Sequence, residues 1–255
     1  MVAKPLTGEQ IEELKGLGET HFWPHSRPTG DMSDDTGIKL VTHSKGIWVE
    51  GPTGERHVDL IAGMWLKNIG HGRKEIADAV YEQMLDVSYS PGGTVAPATV
   101  KLASKVASLT PDPDSRVYFV SGGSEAVETA IKMAKKYQYN IGERGRWKVI
   151  SRQNSYHGAT HLCMSLGFNS VNRPNDYGPL VPGNIRISNP GLTYRTMPGD
   201  WDMQYAYDLE KAIIDEGPDS IAAFIGEPIS AASGIHIPHS EYWPTIREIC
   251  DKYGI

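Results

Sequence analysis

Apolar positions along the 255 residues fall first at strand spacing and then alternate between strand-length and helix-length runs. Residues 38–42, 46–50 and 56–60 are β-rich, separated by His43-Ser44-Lys45 and Gly51-Pro52-Thr53-Gly54, and predict an antiparallel meander. Ahead of them, Thr7-Gly8-Glu9-Gln10 fits a capping box and predicts a helix to about Gly16, leading into His21-Phe22-Trp23-Pro24. Beyond the meander, Ile76, Ala77, Val80 and Met84 mark one helix, and Pro97 opens another that ends near Leu109, before Pro111 and Pro113. Residues 116–120 read as a strand and Ser121-Gly122-Gly123-Ser124-Glu125 as a tight turn. A helix follows, with Ala126, Ala130 and Ala134 on one face, a stripe that would let it lie close against a sheet. Further strands are predicted at 147–151, 185–188 and 221–225, the last apolar on both faces as a covered parallel strand should be. Residues 169–182 read as a loop, and helices are expected from about Trp201 and over 241–253. Strands alternating with helices give an α/β architecture with a mostly parallel sheet.

Composition narrows the function. A net charge of −6 with mixed signs argues against a nucleic-acid binder, which would carry a basic face. No apolar run reaches membrane length and no h-region follows Met1-Val2-Ala3-Lys4-Pro5, so a cytoplasmic protein without membrane contact is expected. Two cysteines, Cys163 and Cys250, supply neither a disulfide framework nor a zinc site, and no metal is expected.

Candidate chemistry clusters at strand ends. The turn before the Ala126 helix presents free backbone N–H groups at Gly123 and Ser124 beside the positive end of the helix dipole, and the Ser124 hydroxyl adds a donor, which suits a phosphate. The same residues also read as a plain glycine turn. A dinucleotide fingerprint needs a third glycine and a P-loop needs Gly-Lys-Ser/Thr, and both are missing. Gly122-Gly123-Ser124-Glu125-Ala126 resembles a nucleophile elbow with Ala in the last place, and Asp219 followed by His236 or His239 would give a serine hydrolase its chain order. Tyr156-His157-Gly158 follows the 147–151 strand and Gly226-Glu227-Pro228 follows the 221–225 strand. Ligands of open α/β sheets sit outside such ends, although a solvated turn and an ordinary surface Glu fit the same residues. Phe22 and Trp65 read as packing or interface residues, or as pocket walls.

With these pieces placed, the chain resembles the class III aminotransferases, the pyridoxal-phosphate enzymes of the ω-amino acid and amine:pyruvate type. Ser121-Gly122-Gly123-Ser124-Glu125-Ala126-Val127-Glu128-Thr129-Ala130 is similar to that family's phosphate cup, Tyr156-His157-Gly158 to its ring-stacking loop and Gly226-Glu227-Pro228 to its rim carboxylate. The resemblance implies a fold type I large domain over 61–255, incomplete at its end, preceded by an N-terminal helix and meander over 1–60 that belong to the small domain. It implies pyridoxal 5'-phosphate held by Gly123 and Ser124, with Tyr156 stacked on the ring, His157 beside it and Glu227 near the ring's polar edge. Trp65 would line the substrate pocket and Phe22 would help cover it. The implied reaction moves an amino group from an amine donor to a keto acid acceptor such as pyruvate, in a homodimer or dimer of dimers. Aminomutases, decarboxylases and racemases share these motifs, and a non-catalytic fragment is a further alternative. The lysine that holds the cofactor covalently and the aspartate that faces the ring nitrogen are expected beyond Ile255. Lys101, Lys105, Lys132, Lys135, Lys136 and Lys211 read as helix-surface charges, so no catalytic residue is expected within this chain, which reads as the N-terminal part of such an enzyme.

Overall fold

The computed structural model describes residues 5–25, 39–167, 177–190, 201–232 and 234–255. The chain divides into two compact units, residues 1–115 and 116–255. The boundary expected after residue 60 concerns the domains of a complete enzyme and is not decided by this division.

In the first unit α1 (Gly8–His21) starts with the predicted capping box. Thr7 Oγ1 accepts from the Gln10 N–H at 3.3 Å and Gln10 Oε1 accepts from the Thr7 N–H at 3.0 Å. The helix runs past Gly16, because neither Gly16 nor Gly18 is required to leave the helical region and the exit comes only at extended Phe22. The meander consists of β1 (His43–Lys45), β2 (Trp48–Glu50) and β3 (Arg56–Val58), all antiparallel. Its first strand therefore lies where a turn is predicted. Gly46, at φ 60°, makes the reversal, and residues 39–42 are not a strand; Ile38 lies outside the described residues. A short turn, α2 (Ala62–Trp65), is left-handed, with φ of 47°, 58°, 57° and 70° at Ala62, Gly63, Met64 and Trp65. Left-handed geometry costs roughly 1–2 kcal/mol for each residue carrying a Cβ. Asp59 Oδ2 offsets part of this by accepting from the Gly63 N–H at 2.7 Å and meeting His71 Nε2 at 2.8 Å. Helices α3 (Lys74–Asp86) and α4 (Pro97–Ala107) match the predicted periodicity.

The second unit is built on a parallel sheet of β4 (Lys148–Arg152), β5 (Asn184–Ile187) and β6 (Ile221–Phe224), in the order β5-β4-β6. Successive side chains of β4 point to opposite faces. Val149 packs with Ile131 of α5 (Gly123–Asn140) and Leu166 of α6 (His161–Leu166). Ile150 packs on the other side with Leu209 and Ile213 of α7 (Trp201–Glu216) and Ile246 of α8 (Tyr242–Tyr253). Both faces are thus covered, and the α/β fold with a parallel sheet is as expected. Two details differ. Residues 116–120 join no ladder among the described residues, and Tyr118 stays 68% exposed. The alanine face of α5 is only partly covered, since Ala126 and Ala130 are exposed and Ala134 half-buried while Ile131 and Gln138 are buried and Val127 half-buried. The larger apolar side chains take the sheet side because they bury more surface. The predicted loop over 169–182 is described only from residue 177 onward.

Candidate functional site

Three segments converge at the carboxyl ends of β4 and β6. The first is the start of α5. Gly122 is its extended N-cap with no side chain capping it, and the first helical bond is Ala126 N–H to the Gly122 carbonyl at 3.0 Å. The Gly123 and Ser124 amides therefore have no partner within the helix, and the space beside Gly122 and Gly123 is open for 4 Å around a notional Cβ. The Glu125 carboxylate folds back on the turn and accepts from the Ser121 N–H at 2.7 Å.

The second segment follows β4. Ser124 Oγ accepts from the Ala159 N–H at 3.0 Å, which leaves its own proton free to donate. Gly158, at φ 130°, lies so close that a Cβ there would come within 2.5 Å of Ser124 Oγ and 3.0 Å of Ser124 Cα. Thr160 Oγ1 donates to Glu128 Oε1 at 2.7 Å, a second tie between this loop and α5. Tyr156 projects outward, 46% exposed, whereas His157 is buried and its Nε2 has no hydrogen-bond partner among the described residues. Burial, aided by the nearby Arg152 guanidinium, pushes the His157 pKa down to about 4, so the imidazole is neutral at neutral pH.

The third segment is the turn after β6. The half-buried Glu227 carboxylate accepts from the Tyr156 backbone N–H and from Ser230 Oγ, the latter at 3.3 Å. Burial raises its pKa above the usual carboxylate value, against the opposing pull of the Tyr156 amide, Arg152 and Ser230. Arg152, at the end of β4 and 1% exposed, donates from Nη2 to the Glu227 carbonyl oxygen and to Ser230 Oγ, the latter at 3.1 Å. Asn189, two residues past β5, donates to Ser230 Oγ at 3.2 Å and to the Gln153 carbonyl at 3.0 Å.

The chain matches the class-III aminotransferase family over residues 31–255. It belongs to that family. Among proteins, this class-III chain is 33% identical to the putrescine–pyruvate aminotransferase of Pseudomonas aeruginosa, over 98% of its own length and 56% of that protein's. It is 34% identical to a taurine–pyruvate aminotransferase of Bilophila wadsworthia, over 95% and 53%. Among solved structures, a thermostable (S)-enantioselective ω-transaminase from Thermomicrobium roseum superposes with a TM-score of 0.87 at 36% identity, covering 96% of this chain and 55% of that one. A Bacillus anthracis aminotransferase superposes with a TM-score of 0.90 at 32% identity, covering 98% and 55%. The chain thus spans about half the length of the relatives it matches.

Within this class-III unit the structure brings Gly123, Ser124, Tyr156, His157 and Glu227 to one end of the sheet. Phe22 and Trp65 belong to the first unit, where both are exposed. The hydrolase arrangement is not assembled: Asp219 precedes β6, at the end of the sheet opposite the loop that binds Ser124, and lies 3.7 Å from Arg146. Lys132 and Lys136 stand exposed on α5, lining an open groove with Tyr118 and Tyr137, and Lys211 pairs with Asp215 one turn along α7. No sequence motif singles out Arg152, Asn189 or Ser230. The available signal was the cation that ends the apolar run Val149-Ile150-Ser151-Arg152, because a charge on a strand covered on both faces needs a partner.

Proposed function

We propose that this chain carries the cofactor-anchoring part of a pyridoxal 5'-phosphate-dependent aminotransferase, which moves an amino group from an amine or ω-amino acid to a keto acid such as pyruvate. The observation that carries the reading is the bond from the Ala159 N–H to Ser124 Oγ, with Gly158 pressed against Ser124. It joins an anion-binding helix start to a loop offering an outward tyrosine ring, the two features a phosphorylated aromatic cofactor requires. The donor set fits: the Gly123 and Ser124 amides, left unpaired by the helix, the Ser124 proton and the helix dipole would hold the phosphate. Tyr156 would stack on the ring, with neutral His157 beside it and Glu227 near its polar edge. Bound there, the cofactor supplies the electron sink that accepts the electron pair left by proton removal. The protein's part would be orientation: Ser124 would hold the phosphate, and the Tyr156 amide, bonded to Glu227, would set the stacking ring and the carboxylate from one backbone. Pyruvate as acceptor is supported by the putrescine–, taurine– and β-alanine–pyruvate aminotransferases among its relatives. Phe22 and Trp65 remain assigned to the substrate pocket by resemblance. We read the complete protein as a cytoplasmic homodimer or dimer of dimers, on the same resemblance; no described helix is long and apolar enough to cross a membrane.

The test is a titration of the chain with pyridoxal 5'-phosphate and with pyridoxal, followed by absorbance and tyrosine quenching. The phosphorylated form should bind more tightly, and Ser124→Ala should narrow the difference. Equal affinity for the two forms would remove the phosphate cup from the argument.

A further inference from the structure

We propose that Arg152 is the positioning residue of this site: its buried guanidinium ties the Gly226-Glu227-Pro228 turn to the end of β4 and thereby holds Glu227 against the Tyr156 loop. The inference deepens the cofactor-site reading and rests on it for the roles of Tyr156, His157 and Glu227.

All three strand ends meet at this point. Arg152 comes from β4, Asn189 from just past β5, and Glu227 and Ser230 from the turn after β6. Ser230 Oγ is the shared node, taking bonds from Arg152 at 3.1 Å and Asn189 at 3.2 Å and reaching Glu227 Oε2 at 3.3 Å. Arg152 also bonds the Glu227 main-chain oxygen, so one fork holds the carboxylate residue by its backbone and, through Ser230, by its side chain. On its remaining side lie the rings of Trp243 and Tyr242, with centroids 5.2 Å and 5.8 Å from the guanidinium carbon. Aromatic faces stabilise a guanidinium without neutralising it. Among the described residues Arg152 forms no ion pair, and its Nε, like His157 Nε2, is buried without a hydrogen-bond partner there. A permanently charged group in this setting costs more than a neutral one would if its task were only to fill the core.

The groups facing the corner are His157 and Tyr156 from the loop after β4, Glu227 and Ser230 from the turn after β6, Asn189, and the two aromatic residues of α8. Arg152 is the charged group that acts on both titratable members. It disfavours a protonated His157 and favours an ionised Glu227. A spacer of similar shape without charge or donors would fill the corner without gripping the turn, and would remove the cation's pull from both titrations.

The experiment follows the His157 imidazole by NMR titration in the 255-residue chain, assigned with His157→Gln, and measures hydrogen exchange of the Tyr156 amide. Neither readout needs cofactor. If wild-type chain fails to bind pyridoxal 5'-phosphate, the functional reading falls while the role of Arg152 is still measured. In Arg152→Met the His157 midpoint should rise from about 4, by the part of the shift that the cation supplies beyond burial. Arg152→Lys should return it most of the way, since the charge is restored without the fork. Ser230→Ala keeps the charge and loosens the grip, so it should leave the midpoint in place and speed exchange of the Tyr156 amide several-fold. Should Arg152→Met fail to fold, the Lys and Ala variants decide: a midpoint displaced upward in Arg152→Lys as far as burial alone would leave it, or unchanged Tyr156 exchange in Ser230→Ala, overturns the proposal. So does an Arg152→Met chain that folds and keeps the wild-type midpoint.

Discussion

Gly158→Ala tests the join between the helix start and the loop after β4 more directly than any change to the polar groups. The added methyl would sit 2.5 Å from Ser124 Oγ and 3.0 Å from both Ser124 Cα and Cβ, so rotating the serine hydroxyl away does not relieve the clash with its backbone. At φ 130° the substituted residue would also occupy a region that side chains with a Cβ rarely adopt. Overpacking of this kind costs roughly 1–3 kcal/mol. A residue held in a sparsely populated φ/ψ region adds a further cost on the order of 1–3 kcal/mol. Their sum of about 2–6 kcal/mol, against a typical total stability of about 5–15 kcal/mol, leaves the protein two responses. It can keep the contact and lose much of its stability, or it can move the loop off Ser124 and break the Ala159–Ser124 bond. The two are separated by measuring the urea midpoint together with pyridoxal 5'-phosphate affinity. The first predicts a large fall in midpoint, the second a smaller fall with weakened cofactor binding. A variant with the wild-type midpoint and the wild-type affinity would mean that Gly158 and Ser124 are not in contact in solution, and the site as assembled here would be wrong.

Other changes read out single groups. Ser124→Ala should weaken cofactor binding by roughly 1.5–3 kcal/mol, the value of a hydrogen bond to a charged group, with backbone donors keeping some affinity; dialysis and equilibrium titration would measure it. Tyr156→Ala should shift the absorption of bound cofactor and leave folding nearly unchanged, because the ring is half exposed and supports little of the core; an unaltered spectrum places the ring away from the cofactor. His157 has a folded pKa near 4 against 6.5 for the free side chain, so the unfolded chain binds more protons between these values and stability should fall as pH drops through that window. The loss is on the order of 3 kcal/mol by pH 4, and His157→Gln should flatten this part of a pH-resolved urea series.

Local rules carried the elements whose determinants are themselves local. Thr7 and Gln10 start α1 by a reciprocal pair of bonds, Pro97 opens α4 at its first turn, and β6 is apolar on both faces because helices cover both. Where the outcome depended on a partner, the same rules misled. Residues 116–120 have every strand preference, yet a strand is defined by its ladder, and no described segment pairs with them. His43–Lys45 became a strand over the more apolar 39–42 because Gly46 can turn at positive φ and sets the register His43–Glu50. The α5 alanines marked a face without saying which way it pointed, and Val127 and Ile131 decided that. The site divides in the same way. Gly123, Ser124, Tyr156, His157 and Glu227 stood out as candidates because a glycine turn or a strand end gathers polar residues in one short run. Arg152, Asn189 and Ser230 are separated by 41 to 78 positions in their mutual bonds, and nothing in a linear pattern says that three strand ends will share one hydroxyl. The parallel order β5-β4-β6 brings them together, since it places β4 centrally and aligns all three carboxyl ends. The buried guanidinium is therefore a product of topology: on a sheet with β4 at the edge, Arg152 would face water on one side and exert little charge on His157 or Glu227.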